Sequence, residues 1–384
     1  MVSVTIDSPS QAVAAEWDDL VRRASSNVFM NPAALQAAGE TGFADLRMML
    51  AWEEGAAPRR LVGVWAMRLR KVAPLWPRFL EALPYEYAFL SSPVIDPAFA
   101  DEVMAALLAA IEQNSSLPNV ISMKALDAEA AGYPAMLKLF AARGITPLLV
   151  SEYERPFVTR EFGVKRSGST RKKLRQDWNR LTALGKVDVV NDRTPEAVGT
   201  AFETFLALEK ASWKGEQGTA LLSDPSDAAF VRKLLQHLAA RSGASVALLQ
   251  VDGAAVAAQV LLYCGTTAYT WKTAFDAAYA KFSPGTLVID RVTDQLFAGP
   301  DILAINSCAA EASFMAQLWA GRRRMVDLLV DVGPSKSPQY HMEAARQLGY
   351  ERLRDLRDRI RRQMTASRAK KAGAGGPQDL ITSG

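Results

Sequence analysis

The sequence predicts a mixed α/β protein built from two units in tandem. Helix-period and strand-period segments interleave along the chain instead of segregating. The length, 384 residues, exceeds what a single core of ordinary size fills. Charge also divides near residue 160, with 14 Lys and Arg against 18 Asp and Glu before it and 31 against 23 after it. The expected units are 1–160, 161–345 and a basic helix with a disordered tail over 346–384.

In the first unit, QAVAAEWDDLVRRA has an amphipathic helix pattern, and Asn31-Pro32 opens a second helix through NPAALQAAGE. LRMMLAWEE and RLVGVWAMRLRKV read as strands around the turn-prone GAAP. FADEVMAALLAAIEQN is helical, NVISMKAL a strand, YPAMLKLFAARG a helix stopped by Gly144, and ITPLLVSEY a strand.

The second unit opens with RSGSTRKKLRQDWNRLTALG. Ser169 or Thr170 is the expected cap, Gly185 the expected stop, and Leu174, Trp178, Leu181 and Leu184 the apolar face. Arg171, Lys172, Lys173, Arg175 and Arg180 cover the rest. Two helices follow, TPEAVGTAFETFLALEKASW and DAAFVRKLLQHLAARSG, then three strands: SVALLQV, AVAAQVLLYC and TAYTWKTAF. The Asp252-Gly253 pair between the first two marks a hairpin. TLVIDRVTDQLF is a helix, DILAINSC a strand, and a helix-rich C-terminus is expected to close the unit.

Composition sets limits on function. Hydrophobic residues make up 49% and charged residues 22%, ordinary for a soluble globular chain. No run approaches the ~18 apolar residues of a membrane span. MVSVTIDSPSQ lacks the basic start and apolar run of a signal peptide, so cytoplasm is the default expectation. Cys264 and Cys308 give no disulfide framework, and with only His237 and His341 beside them no metal site is expected. The basic second half suits an anionic ligand, a nucleic acid or a lipid headgroup surface. Its terminal ERLRDLRDRIRRQMTASRAKK reads most simply as a solvated helix with pairs such as Asp358 with Arg362. The final AGAGGPQDLITSG has a disordered composition.

The stretch AYAKFSPGTLVID joins the last strand of the meander to a helix. Ser283 fits an N-cap, Pro284 the first helical position, and Gly285 a close ligand approach. The free N–H groups of that turn, with Lys272 and Lys281 nearby, suit a pyrophosphate, although a well-capped structural helix fits the same residues.

The run VAAQVLLYCGTTAYTWKTAFDAAYAKFSPGTLVIDRV resembles the central motif of the cellulose-biosynthesis-type (CelD-like) acetyltransferases of the GNAT superfamily. The matching features are Gln259, Lys272, Asp276, Tyr279 and the turn Ser283-Pro284-Gly285-Thr286. STRKKLRQDWNRL, FLALEKASWKG with Trp213-Lys214, and NVFMNPAALQAA match as well, so the resemblance spans about residues 15 to 345. It implies two tandem GNAT-like domains, each a mixed central sheet flanked by helices, and is more distantly similar to Fem-type aminoacyltransferases. INSCAAEASFMAQLWAGRRR departs from the family by placing Asn306, Phe314 and Met315 where Asp, Tyr and Lys are expected.

The resemblance implies direct acyl transfer from an acyl-CoA, acetyl or longer, to an amine such as an amino sugar or lipid amine, in polysaccharide or envelope metabolism. Lys272 and Ser283 to Thr286 would hold the donor, and Gln259 and Trp213 the acceptor. Asp276 or Glu311 would take the amine proton and Tyr279 would protonate the thiolate. Residue by residue, other roles fit too: a turn cap for Asp276, packing for Tyr279, a solvent-facing Lys272 and a structural hydrogen bond for Gln259. Cysteine catalysis lacks a histidine in context. The competing functions are a catalytically silent GNAT-like scaffold, Fem-like transfer from aminoacyl-tRNA, and nucleic-acid binding, for which no recognition motif is present. Peripheral membrane contact is compatible with the basic surface.

Overall fold

The computed structural model describes all residues except 56–57 and 374–384, and the side chains of 355, 358 and 361–373 are also outside the description. The expected Asp358–Arg362 pair, the centre of the GAAP turn and the end of the chain therefore lie outside the described residues. Met1–Ser335 forms one compact unit and Lys336–Gly384 a second.

Thirteen described strands share one mixed sheet: β1 (Val2–Asp7), β2 (Leu46–Glu53), β3 (Arg60–Arg70), β4 (Phe79–Glu81), β5 (Val94–Ile95), β6 (Val120–Asp127), β7 (Leu148–Thr159), β8 (Val187–Val190), β9 (Ala244–Val251), β10 (Ala254–Cys264), β11 (Thr267–Phe275), β12 (Ala304–Asn306) and β13 (Arg322–Asp331). The helices are α1 (Ala14–Val21), α2 (Pro32–Glu40), α3 (Ala100–Gln113), α4 (Gly132–Ala142), α5 (Ser169–Thr182), α6 (Pro195–Lys210), α7 (Trp213–Glu216), α8 (Pro225–Ala239), α9 (Pro284–Ala298), α10 (Met315–Leu318) and α11 (Pro338–Gly373). No described helix is long and apolar enough to cross a membrane.

The strand order is β1-β2-β3-β4-β6-β13-β7-β12-β11-β10-β9-β8, with β5 on β3. Read inward from either edge, the same pattern recurs. Four strands pair antiparallel, the fourth pairs parallel with a fifth (β4 with β6, β11 with β12), and a sixth is antiparallel to that. The sixth strands are exchanged: β13 pairs with β6, β7 pairs with β12, and the two meet antiparallel at the centre. In each half a helix crosses between the parallel strands, α3 in the first and α9 in the second.

Local chemistry explains most boundaries. Asn31 caps α2 by accepting from Ala33 N–H at 2.9 Å, with Pro32 in the first turn. Asp252 and Gly253 both have positive φ, as a tight hairpin with right-handed strand twist requires. Phe43 stacks on Phe230 at 4.2 Å, and Tyr85 meets Phe230 at 5.1 Å, joining the two halves through aromatic contact. On the other face of the second half, Leu287, Val288 and Ile289 of α9 are buried with Leu249 and Leu261. Each such side chain contributes about 1.5–3 kcal/mol.

Several expectations need correction. The helix-rich ending gives way first to a strand, β13, over GRRRMVDLLVD. It pairs with a strand on each edge, and its second half is buried almost without a break, so no clean alternation shows. MVSVTID forms an edge strand. The cap of α5 is Gly168, with no side-chain capping bond, and the helix stops at Thr182 before Gly185. Leu184 is therefore exposed and not part of the apolar face, while Asp177 is buried on it. A Cβ at Gly185 would meet the Asp252 carboxylate at 2.1 Å, so this glycine serves a close approach and not a helix stop.

Candidate functional site

β11 pairs with β12 only through Thr267, Ala268 and Tyr269. Beyond that the two chains part. Asn306 accepts from Cys308 N–H at 3.0 Å in a local turn, Cys308 takes a positive φ, and Thr270 Oγ donates to Ser307 O at 3.0 Å where the next ladder bond would fall. The edge of β11 from Thr270 to Phe275 is left open toward β12, as a wedge.

A bulge re-aims the side chains along that edge. The register against β10 passes from Leu261 opposite Thr270 to Val260 opposite Lys272, leaving Trp271 as the extra residue. Trp271 and Lys272 consequently share one face. Thr273 and Phe275 face the other, where they lie 3.5 and 3.3 Å from the position a Gly285 Cβ would take.

On the Gly285 face stands the N-terminus of α9. Ser283 sits at the N-cap position with Pro284 after it, but in a left-handed conformation (φ 52°) and without a side-chain capping bond. Its carbonyl instead accepts from Thr286 and Leu287 N–H at 2.9 and 3.0 Å. Gly285 N–H has no partner among the described residues. Helix α5 brings its cations here. Lys173 Nζ donates to Ser283 Oγ at 2.8 Å and pairs with Asp177. Arg180 and Lys281 lie 5.3 and 5.1 Å from the Phe282 ring, and Arg171 ties α5 to α9 through the Asp290 carboxylate. The first turn of α9 contains no acid. The matching helix of the first half, α3, carries Asp101 and Glu102 there and follows a turn capped by Asp96. A phosphate is attracted to the α9 terminus and repelled from that of α3.

The Lys272 face is different. The Lys272 ammonium rests 4.3 Å from the Tyr87 ring with no hydrogen bond to any described residue, and burial pulls its pKa down to about 8 against a weaker upward pull from Glu209. Tyr87 donates to the Asp227 carboxylate, and its pKa is pushed up by burial and by that bond. Trp271 Nε1 donates to Tyr87 O at 2.9 Å. Glu209, buried, accepts from Lys214 Nζ and Leu221 N–H, both at 2.9 Å. Lys214 also reaches Thr273 O at 3.3 Å.

The structure thus brings Ser283, Pro284, Gly285 and Thr286 together with Lys173, and turns Lys272 to the opposite face of the strand. Asp276 caps the short turn before α9, accepting from Ala278 N–H at 2.9 Å through one oxygen. Tyr279 lies 6.3 Å from the Phe282 ring, within that turn. Glu311 is exposed on the segment after β12, and Trp213 is 54% exposed at the start of α7. Gln259 is wholly buried with its amide satisfied by Val260 O at 2.7 Å and the Thr273 hydroxyl. Burial pushes the Cys308 thiol up to about 12, which keeps it protonated and unreactive. Among the described residues no group of three or more His, Cys, Asp or Glu is arranged to hold a metal ion. A cavity of about 600 Å³ between Trp17, Arg193, His237 and Tyr263 lies at the other end of β10 and β11.

Tyr87, Asp227, Glu209, Lys214 and Lys173 were not marked as site residues by sequence. Three of them lie in stretches the sequence singles out, Lys173 in STRKKLRQDWNRL and Glu209 and Lys214 in FLALEKASWKG, but nothing in those stretches assigns them to a site. Tyr87 and Asp227 stand 140 residues apart, Asp227 at the start of a readable helix, and only the fold joins them.

Residues 168–314 match the family described as acetyltransferase (GNAT) domain. No curated protein matches the chain. Among solved structures, FemX has 12% identity and a TM-score of 0.58, with 85% of this chain and 96% of that one covered. L-PGS from Bacillus licheniformis has 13% identity and a TM-score of 0.54, covering 89% and 98%. The C-terminal domain of a protein described as a lysylphosphatidylglycerol synthetase, from Agrobacterium fabrum, has 16% identity and a TM-score of 0.54, covering 87% and 94%. The chain therefore has a GNAT-like fold.

Proposed function

We propose that this protein is an N-acyltransferase that takes an acyl group from a CoA thioester and delivers it to an amine, as its resemblance to the cellulose-biosynthesis-type acetyltransferases implies. The observation that carries the reading is the α9 terminus: an acid-free first turn, an unpartnered Gly285 N–H and Lys173 beside Ser283, all next to the open edge of β11. The diphosphate of the donor binds at Ser283 to Thr286, and its acyl arm runs along the wedge between β11 and β12. The acceptor approaches from the Lys272 face, between Tyr87, Asp227 and Trp213. Its nitrogen forms the C–N bond as the C–S bond breaks. Asp276, whose second oxygen makes no hydrogen bond to a described residue, takes the amine proton through water, and Glu311, exposed on the segment after β12, is the second candidate carboxylate. Tyr279 returns a proton to the departing thiolate.

Thermal melting with acetyl-CoA, a long-chain acyl-CoA and free CoA tests the donor site. At ~100 times the dissociation constant a ligand adds about 2.7 kcal/mol, a shift of a few degrees. The shift should vanish in Lys173→Glu and in Gly285→Trp, whose side chain meets the Phe275 ring. No shift with any CoA species removes this donor and turns the reading to an acyl carrier protein, aminoacyl-tRNA or a silent scaffold. With the donor established, Asp276→Asn separates chemistry from structure, because Asn caps a turn as well as Asp but is not a base. Acylation should slow by about 10²–10⁴-fold with donor binding unchanged, and an undiminished rate would exclude Asp276 as the base.

A further inference from the structure

The hairpin between β3 and β4 ends in a loop, Lys71-Val72-Ala73-Pro74-Leu75-Trp76-Pro77-Arg78, that the acyltransferase reading does not use. Arg70 pairs with Phe79 in the ladder, so these eight residues form the whole tip. Leu75 is 99% exposed and Val72 41%. Single exposed leucines are ordinary, and Leu149 or Leu303 need no explanation. Here the two exposed apolar residues share one eight-residue tip that contains two prolines, and a turn closed by Trp76 N–H on Ala73 O at 2.9 Å carries Leu75. The Trp76 indole N–H is covered and has no partner among the described residues. Lys71 and Arg78, one at each foot of the tip, are exposed and make no ion pair with a described acid. At the base of the hairpin, Arg68 and Arg70 are already neutralised by Glu81 and Glu86.

We propose that this tip docks the protein on a bilayer bearing anionic headgroups, with Leu75 and Val72 entering the acyl boundary and Lys71 and Arg78 on the headgroup phosphates. An apolar point bracketed by two uncompensated cations matches the layering of such a surface, apolar below and negative above. A tryptophan between them suits the interface, where an amphipathic ring sits at the level of the headgroups.

Vesicle flotation of the full chain tests this, using phosphatidylcholine alone and phosphatidylcholine with phosphatidylglycerol. Wild-type protein should float with the anionic vesicles and not the neutral ones, and the binding should weaken with salt. Leu75→Asp should reduce partitioning on the order of tenfold or more, and Lys71→Ser and Arg78→Ser about fivefold each. All three are exposed, so melting temperatures should match wild type. A Leu75→Cys variant carrying an environment-sensitive dye should shift to the blue on binding. Absence of flotation, equal flotation with neutral vesicles, or an unshifted dye would each overturn the proposal. So would Leu75→Asp floating like wild type, which would move the contact to the basic residues after 350. Capture of a protein through the tip without vesicle binding would make it a protein interface instead.

Discussion

Lys272 couples the site to pH. Its ammonium is disfavoured by burial, so the folded pKa of about 8 lies below the ordinary 10.5. Below pH 8 the lysine is charged in both folded and unfolded chains, and the fold bears the full desolvation cost. Between pH 8 and 10.5 the unfolded chain binds more protons, so stability contributed by this group rises with pH. Lys272→Met should raise the melting temperature at pH 7 and flatten that rise, and a scan of melting temperature from pH 7 to 10 would reveal both effects. An unchanged slope would mean that Lys272 titrates as it does in water. The sequence shows Lys272 as a residue of a strand but not its direction, because one inserted residue, Trp271, sets which face it joins. Composition likewise shows no sign of the Tyr87–Asp227 bond, which depends on a contact between segments far apart in the chain. The helix start at Ser283 to Thr286 was legible because Pro284 and Gly285 act locally, although Ser283 does not cap through its side chain as expected.

At the level of elements, the β3–β4 hairpin is clasped by a buried carboxylate. Glu81 is 2% exposed and bonded by Arg68 and Arg70, each with a contact of 2.7 Å. Burial alone would push its pKa up, but the two guanidiniums outweigh it and hold the carboxyl below 4.5. Its contribution is complete above about pH 4.5 and is lost as pH falls through the depressed folded value. Glu81→Ala would leave the exposed Glu86 as the acid beside the two arginines and should cost about 3 kcal/mol, read by denaturant melts at pH 7, with the deficit shrinking toward pH 3. Elements with a strong period or a local cap were readable in advance: α2 from Asn31-Pro32, the β9–β10 hairpin from Asp252-Gly253, α9 from Ser283-Pro284. β13 was not. Three consecutive arginines ahead of MVDLLVD resemble the basic helical segments around them, and burial by strands from elsewhere in the chain leaves no period to detect.

Across the whole molecule, the exchanged strands bind the halves into one sheet. Met325 and Leu329 of β13 are fully buried against strands of the first half. A fragment of residues 1–160 should therefore lack a stable fold despite ending close to where the charge balance changes. Limited proteolysis and circular dichroism of that fragment would test this, and a cooperative melt would contradict it. Tandem halves were expected from the chain length, the charge division near residue 160 and the family resemblance, whereas the exchange was not, since it requires knowing which strand edges remain unfilled.

The exchange also sets a timetable for synthesis. β6 and β7 leave the ribosome long before β13, which follows by about 170 residues, or roughly 10–30 seconds of translation. For that interval two long strands have no partner between them and offer open edges to any other chain. Nascent copies would be most vulnerable to mispairing in that window, and a chaperone that covers β-edges would matter most there, after the first half has emerged and before its last strand exists.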